Sequence, residues 1–310
     1  MSPPTLQKWY PHLQSPVVVS APMLGVSNGK LAAAVSEAGG LGFIPGGSSF
    51  EKGSVHYTAL SKSLQDATER LAPKEGELLK VGVGMITCSP PSFPHFETST
   101  VPLLEGYRVS ALWLFAPAPP NHEGNSIHEE FVKKVRGRGE WGQKVKVWVQ
   151  VGTVAAARQA VRDGVDVVVA QGVDAGGHQF AAGAGTVGLV PEAVDAVQEE
   201  AGKMGREVVV VAAGGITDGR GVFVVAHESD AQGFKKKNLI NANDGGVSTV
   251  KSNFHDDIQS TTIWPRFYDG RGLINPGYID LQSGVSMDEN LKRFKEAKES
   301  GDMSRMVTWS

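Results

Sequence analysis

Seven short apolar runs, most of them rich in valine, limit the possible folds of this chain more than any other feature. The runs are continuously apolar and do not alternate with polar residues, which is typical of parallel strands buried on both faces. We therefore predict seven parallel strands, at residues 16–23, 41–45, 78–87, 109–117, 144–152, 165–172 and 207–216.

Helix-compatible stretches separate these predicted strands. Examples are residues 28–40, 153–164 and 191–205, the last of which starts with Pro191 at a position suited to a first helical turn. Seven strand–helix units predict an α/β fold of the TIM-type (β/α)8 barrel more than an open doubly wound sheet. No G-x-G-x-x-G motif follows the first strand, which also argues against a dinucleotide-binding open sheet.

The regular alternation breaks down after residue 216. Only the short segment TDGRG separates the seventh run from the next apolar run, VFVVA (222–226), which leaves no room for a crossover helix. Either VFVVA forms the front of a helix or the eighth βα unit is damaged, and we predict a barrel that is incomplete at this unit. Residues 1–226 would form this barrel, and residues 227–310, with a helical segment at 288–302, would form a mostly helical C-terminal appendage.

Composition excludes several classes of function. The formal charge of −3 over 310 residues, without a basic stripe, gives no sign of nucleic-acid binding. Cys88 is the only cysteine, so neither an internal disulfide nor a cysteine-based metal cluster can form, and we expect Cys88 to be a packed apolar residue. The sequence shows no signal peptide and no membrane-spanning run, so we expect an intracellular, cytoplasmic protein; its oligomeric state stays open.

Candidate site residues follow from the rule that barrel active sites form at the C-terminal ends of the strands. Glycines stand at four of these ends, where a bare backbone can approach a phosphate or a flat ring, although simple turn glycines are the alternative reading. These glycines are Gly25, Gly46 and Gly47, Gly176 and Gly177, and Gly214 and Gly215.

His178 follows one of these glycine pairs, in the segment QGVDAGGHQF (171–180). A histidine can accept a proton near neutral pH, so His178 is a candidate general base; a loop histidine that only bonds its neighbours is the alternative. Asp174 could orient His178 or stabilise the turn. For the segment FHDD (254–257) we expect a solvent-facing loop and no metal site.

Three segments, PMLGVSNGKLAAAVSEAGGLGFIPGG, AQGVDAGGHQ and VVVVAAGGITDGRGV, resemble the signature segments of nitronate monooxygenases, formerly called 2-nitropropane dioxygenases. The segment VKSNFHDDIQSTTIWPRFYDGR is similar to fungal members, and the resemblance spans most of the chain. It implies a TIM barrel that holds FMN noncovalently, with a helical second region over the barrel mouth. It also implies oxidation of alkyl nitronates by O2 to a carbonyl compound and nitrite.

The resemblance also implies roles for individual residues. His178 matches the catalytic base, which takes the α-proton of a neutral nitroalkane or helps to place a nitronate. Met23 would lie against the flavin ring, Gly215 would donate to the phosphate, and Gly84 stands near a position at which many bacterial members carry a flavin-contacting Asn. The implied cofactor-binding set is Met23, Gly25, Gly84, Gln171, Gly176, Gly177, Gly214 and Gly215.

The chain departs from the family pattern in two places. Relatives have a further helix and strand after G-G-I-x-D-G-R-G-V, which this chain lacks, and they continue beyond MVTWS. We therefore expect weak FMN retention, low stability and impaired activity. Two alternatives stay open: an NAD(P)H-dependent flavin reductase of the same fold, such as an enoyl or quinone reductase, and a non-catalytic remnant.

Overall fold

The computed structural model describes residues 5–120, 124, 126–216, 249–265 and 267–309. Within these residues seven parallel strands form one sheet, and each pairs with the next one along it. The strands are β1 (Val19–Ser20), β2 (Leu41–Gly47), β3 (Leu79–Ile86), β4 (Val109–Phe115), β5 (Lys146–Val151), β6 (Val167–Gln171) and β8 (Val209–Ala213). All seven predicted strands are therefore confirmed. The strands lie in the sheet in the same order as in the sequence, which is the arrangement of a (β/α) barrel. The TIM-type α/β class is therefore confirmed as well.

Helices connect the strands along the outside of the sheet. They are α1 (Thr5–Trp9), α2 (Gly29–Glu37), α3 (Val55–Leu71), α4 (Phe93–His95), α5 (Val101–Gly106), α6 (Ile127–Arg136), α7 (Gly139–Lys144), α8 (Val154–Arg162) and α9 (Thr186–Lys203). Side-chain caps fix two of the predicted helix starts: Asn28 accepts a hydrogen bond from Leu31 N–H, and Thr153 accepts one from Ala156 N–H.

The start of α9 differs from the prediction. Pro191 lies inside the helix, which begins at Thr186, five residues before the proline. The carboxylate of Asp174 accepts a hydrogen bond from Thr186 N–H and so caps this earlier start. Because the cap comes from a residue twelve positions away, the local sequence around Pro191 did not reveal it.

Apolar side chains fill the space on both sides of the sheet. Inside the barrel, Trp113 and Trp148 stack with their ring centroids 5.9 Å apart, and Phe43 packs edge-on against both. Between the sheet and the helices lies a larger cluster that includes Ile44 and Val168. Burial on both faces explains why the strand sequences are continuously apolar.

Among the described residues β1 and β8 are the two ends of the parallel sheet and do not pair with each other. The residues predicted to replace a regular eighth unit (222–226), and the predicted boundary at 226, lie outside the described residues.

A second, antiparallel sheet joins the barrel to the C-terminal part of the chain. In it β10 (Tyr268–Leu273) lies between β7 (Gly177–Phe180) and β9 (Thr249–Ser252). The helices that accompany it are α10 (Phe254–Gln259), α11 (Pro276–Gln282) and α12 (Met287–Ser300). In the part of the chain that the structure describes, no helix has the length and apolarity needed to cross a membrane.

Candidate active site

His178 lies on a strand and not in a loop as predicted. After β6 ends at Gln171, the chain turns through residues 172–176 and enters β7, in which His178 is the register partner of Gly270 on β10. Because β10 is some ninety residues further along the chain, a four-residue strand with no hydrophobic pattern could not be recognised locally.

The imidazole of His178 forms a buried pair with a carboxylate. Its Nε2 lies 2.9 Å from Oδ2 and 3.0 Å from Oδ1 of Asp256, and the two side chains are 14% and 6% exposed. Thr261 donates its hydroxyl hydrogen to Asp256 Oδ1 over 2.9 Å. The other ring nitrogen of His178, Nδ1, has no hydrogen-bond partner among the residues that the structure describes. Nδ1 is therefore the nitrogen that can receive a proton from a ligand.

Two tryptophans pack against this imidazole. The ring of Trp264 stacks on His178 with 3.6 Å between centroids and an angle of 16°, and Trp309 lies at 4.6 Å with a tilt of 51°. Trp309 also fills the space beside Gly270, where a Cβ would stand 2.2 Å from an indole carbon. Trp264 therefore covers one face of the imidazole, and Trp309 packs against it at an angle.

A chain of side-chain amide hydrogen bonds holds the backbone of His178 against the barrel. Trp113 Nε1–H donates to Gln150 Oε1 (3.0 Å), and Gln150 Nε2 donates to Gln171 Oε1 (2.7 Å). Gln171 Nε2 in turn donates to the carbonyl oxygen of His178 over 3.3 Å. The chain links β4, β5, β6 and β7, so Gln171 directly supports the strand that carries the candidate base.

The loop after β6 and the glycine turn after β8 are in direct contact. Gly214 and Gly215 have φ values of 105° and 67°, and a Cβ on them would stand 2.8 Å from Ala175 and 3.1 Å from Asp174. The positive φ values and this close approach both require glycine. Asp174 accepts from the backbone and hydroxyl of Thr186, so it stabilises this turn and α9, whereas His178 is oriented by Asp256.

The turn after β1 and the turn between β6 and β7 both contain residues that the sequence predicts as cofactor-binding. Met23 is half-buried and donates its N–H to the hydroxyl of Ser27. Gly25 (φ 76°) and Gly177 (φ 71°) have no atom within 4 Å of the position a Cβ would take, and Gly176 is exposed. Among the described residues no hydrogen bond or ring contact joins Met23 or Gly25 to His178.

Gly84 is a packing position. It is buried in β3, and a Cβ there would lie 2.2 Å from Cγ of Pro22, the residue before Met23. Glycine is therefore required at position 84 by the close approach of β3 to Pro22, in the segment that follows β1.

The expectation of a solvent-facing loop at FHDD (254–257) is wrong. These residues start helix α10, in which His255 is fully buried and Asp256 is 4% exposed. His255 Nε2 lies 3.1 Å from the carbonyl oxygen of Leu273 on β10, and burial lowers the pKa of His255. The four side chains that sequence reasoning missed at the site are Asp256, Thr261, Trp264 and Trp309. Three of them stand in the segment that resembles fungal relatives, which was the signal available.

Comparisons with known proteins identify the family. The family model described as nitronate monooxygenase matches residues 142–256, which include His178 and Asp256. A nitronate monooxygenase of Neurospora crassa is 45% identical to this chain over 98% of the chain and 85% of that protein. The chain belongs to the nitronate monooxygenase family. It is therefore an oxidoreductase.

Other relatives agree with this assignment. The nitronate monooxygenase npaC of Metarhizium robertsii is 32% identical over 96% of the chain and 83% of that protein. Two solved structures share the fold at 22% identity. FabK from Thermotoga maritima has a TM-score of 0.67 over 100% of this chain and 88% of its own, and nitroalkane oxidase from Streptomyces ansochromogenes has 0.62 over 95% and 89%.

The alignment with the Neurospora protein also bears on the expected missing segment. It spans 331 positions, more than the 310 residues of this chain, so that relative has residues that this chain lacks. The place at which the sequence pattern predicts the gap lies within residues 217–248, outside the described residues.

Proposed function

We propose that this protein oxidises alkyl nitronates with O2 to a carbonyl compound and nitrite, with FMN as its cofactor. The observation that carries the proposal is the buried His178–Asp256 pair at the C-terminal ends of the barrel strands, where barrel enzymes hold their substrates. Membership of the family and the position of His178 inside the matched segment support this choice of reaction.

The backbone at these strand ends fits a flat cofactor. Gly25 and Gly177 combine positive φ with open space, so a ring could approach their peptide groups without meeting a side chain. Met23, Gln171 and Gly176 complete the set that would face the ring. The turn at Gly214 and Gly215 would receive the phosphate through backbone N–H groups.

The residues of this chain have two tasks in the proposed reaction. His178 accepts the α-proton of a neutral nitroalkane at Nδ1, or lies beside a nitronate that is already deprotonated. Trp264 covers one face of the imidazole and Trp309 packs against it at an angle, so both side chains limit the directions from which a substrate can approach His178. The chemistry that FMN supplies when bound is the removal of single electrons from the electron-rich nitronate.

Absorbance of the purified protein and nitrite release under air test the proposal together. We expect a flavin spectrum after incubation with FMN, nitrite formation from an alkyl nitronate, and nitrite formation from the neutral nitroalkane that His178→Asn lowers. The absence of nitrite from protein that carries FMN would contradict the proposal. Rapid flavin reduction by NAD(P)H without nitrite release would indicate the reductase alternative. Full FMN occupancy as purified would contradict the expectation of weak retention.

A further inference from the structure

We infer that Asp256, held by Thr261, is a positioning residue that fixes the tautomer of His178 and so keeps Nδ1 free to accept a proton. The expected effect of Asp256 on the rate of nitroalkane oxidation rests on the proposed function, whereas its effect on the tautomer of His178 does not.

The contacts of the pair define the tautomer. An ionised carboxylate only accepts hydrogen bonds, so the 2.9 Å contact with Asp256 requires the hydrogen of a neutral His178 to be on Nε2. Nδ1 then carries the lone pair. The alternative tautomer would place two acceptors against each other in a site where both side chains are almost fully buried.

Asp256 is itself held in place. Its Oδ1 accepts the hydroxyl hydrogen of Thr261 over 2.9 Å, and its carbonyl oxygen accepts Thr261 N–H over 2.9 Å. The turn after α10 therefore closes on the carboxylate through both its backbone and its side chain. With the plane of the imidazole fixed by the stack on Trp264, the carboxylate determines which ring edge faces a ligand.

The pairing of His178 with Asp256 affects only one chemical step, the removal of the α-proton from a neutral nitroalkane. When a neutral nitroalkane reacts, its α C–H bond breaks, the electron pair moves into the nitro group to form the nitronate, and the proton bonds to His178 Nδ1. The resulting imidazolium faces the Asp256 carboxylate and the ring of Trp264, both of which stabilise a cation. A nitronate supplied as substrate has already lost this proton and does not need the base.

The kinetic test compares the two substrate forms in Asp256→Asn. An asparagine can donate its amide hydrogen to Nε2, which moves the imidazole hydrogen to Nδ1 and blocks the proton acceptor. We expect kcat/KM for the neutral nitroalkane to fall by about 100-fold, the usual contribution of a general base, while turnover of the preformed nitronate falls by less than about tenfold. Asp257→Asn is the matched control, because Asp257 is the exposed neighbour and the charge change is identical.

Equal losses on the two substrates would overturn the inference, because a merely structural role of Asp256 would weaken both reactions alike. Thr261→Val provides a second variant that keeps the carboxylate. We expect it to show the same selective loss on the neutral nitroalkane at a smaller size, and an unchanged ratio of the two activities would again count against the inference.

Nuclear magnetic resonance of the ¹⁵N-labelled imidazole tests the tautomer without any turnover. His178→Asn assigns the signal by its loss. We expect a proton on Nε2 and an unprotonated Nδ1 when His178 is neutral in the wild type, and a shift towards Nδ1–H in Asp256→Asn. A wild-type protein that carries the proton on Nδ1 would refute the inference. If no nitronate is oxidised but the tautomer shifts as expected, only the proposed function fails.

Discussion

Acid should destabilise this protein through a histidine outside the candidate site. His128 on α6 is 3% exposed, and its Nε2 lies 2.9 Å from the hydroxyl of Thr87, which donates to the carbonyl oxygen of Phe115. Because the Thr87 hydrogen is used in this way, neutral His128 must donate Nε2–H to Thr87. Burial lowers the pKa of His128 from 6.5 to about 3.

The size of the effect follows from the difference between the folded and unfolded states. Because the folded-state pKa is the lower one, the stability from neutral His128 is complete above about pH 6.5 and is lost as the pH falls towards 3. At about pH 5 the unfolded chain has gained the proton and the folded chain has not. The difference between the unfolded-state pKa of 6.5 and a pH of about 5 then sets the loss in the free energy of unfolding at about 2 kcal/mol. This loss is the same for any folded-state pKa well below that pH.

Urea unfolding of the wild type and of His128→Gln at about pH 7.5 and about pH 5 measures this loss. Glutamine keeps a donor for Thr87 but does not titrate. His12, His56 and His255 also have pKa values lowered by burial, so only the difference between the two proteins isolates His128. We expect the wild type to lose about 2 kcal/mol more than the variant. A difference below about 0.5 kcal/mol would refute the reasoning.

Two further predictions concern buried positions of the barrel. Gly84→Ala should lower the free energy of unfolding by about 1–3 kcal/mol, because its Cβ would overlap Pro22. Gly106→Ala, at a position with open space, is the control, and an unchanged melting temperature in Gly84→Ala would contradict the packing role. Burial raises the pKa of the Cys88 thiol to about 11, so Ellman's reagent should react slowly with the native protein and rapidly in denaturant; rapid stoichiometric labelling of the native protein would show that Cys88 is accessible.

The barrel strands could be predicted from the sequence because their burial is encoded locally. In β6 every residue from Val167 to Gln171 is buried, so one continuous apolar run is enough to reveal the strand. Helix α8 was equally clear, since Thr153 caps its start and the apolar residues recur at helical spacing. His178 was predicted as a candidate base for another reason: it follows the glycine pair at the end of a predicted strand.

The environment of His178 could not be predicted in the same way. The hydrogen bond to Asp256 joins residues 78 positions apart, and nothing in the polar segment FHDD distinguishes a buried carboxylate from an exposed one. Asp256 is buried because its helix packs beside β10, and β10 pairs with β7. Such a site depends on tertiary contacts between segments that are each uninformative alone.

These contacts also assign a role to the C-terminal residues. Asp256 on α10 orients the imidazole of His178 from one side, and Trp264 and Trp309 pack against the ring, while Gln171 holds its backbone from the barrel side. The barrel thus supplies the strand end and the glycine turns, and the C-terminal segment supplies the groups that decide how His178 meets a ligand. Substitutions in either part should therefore alter the environment of the nitrogen that we propose accepts the proton, even though the two parts are separate in the sequence.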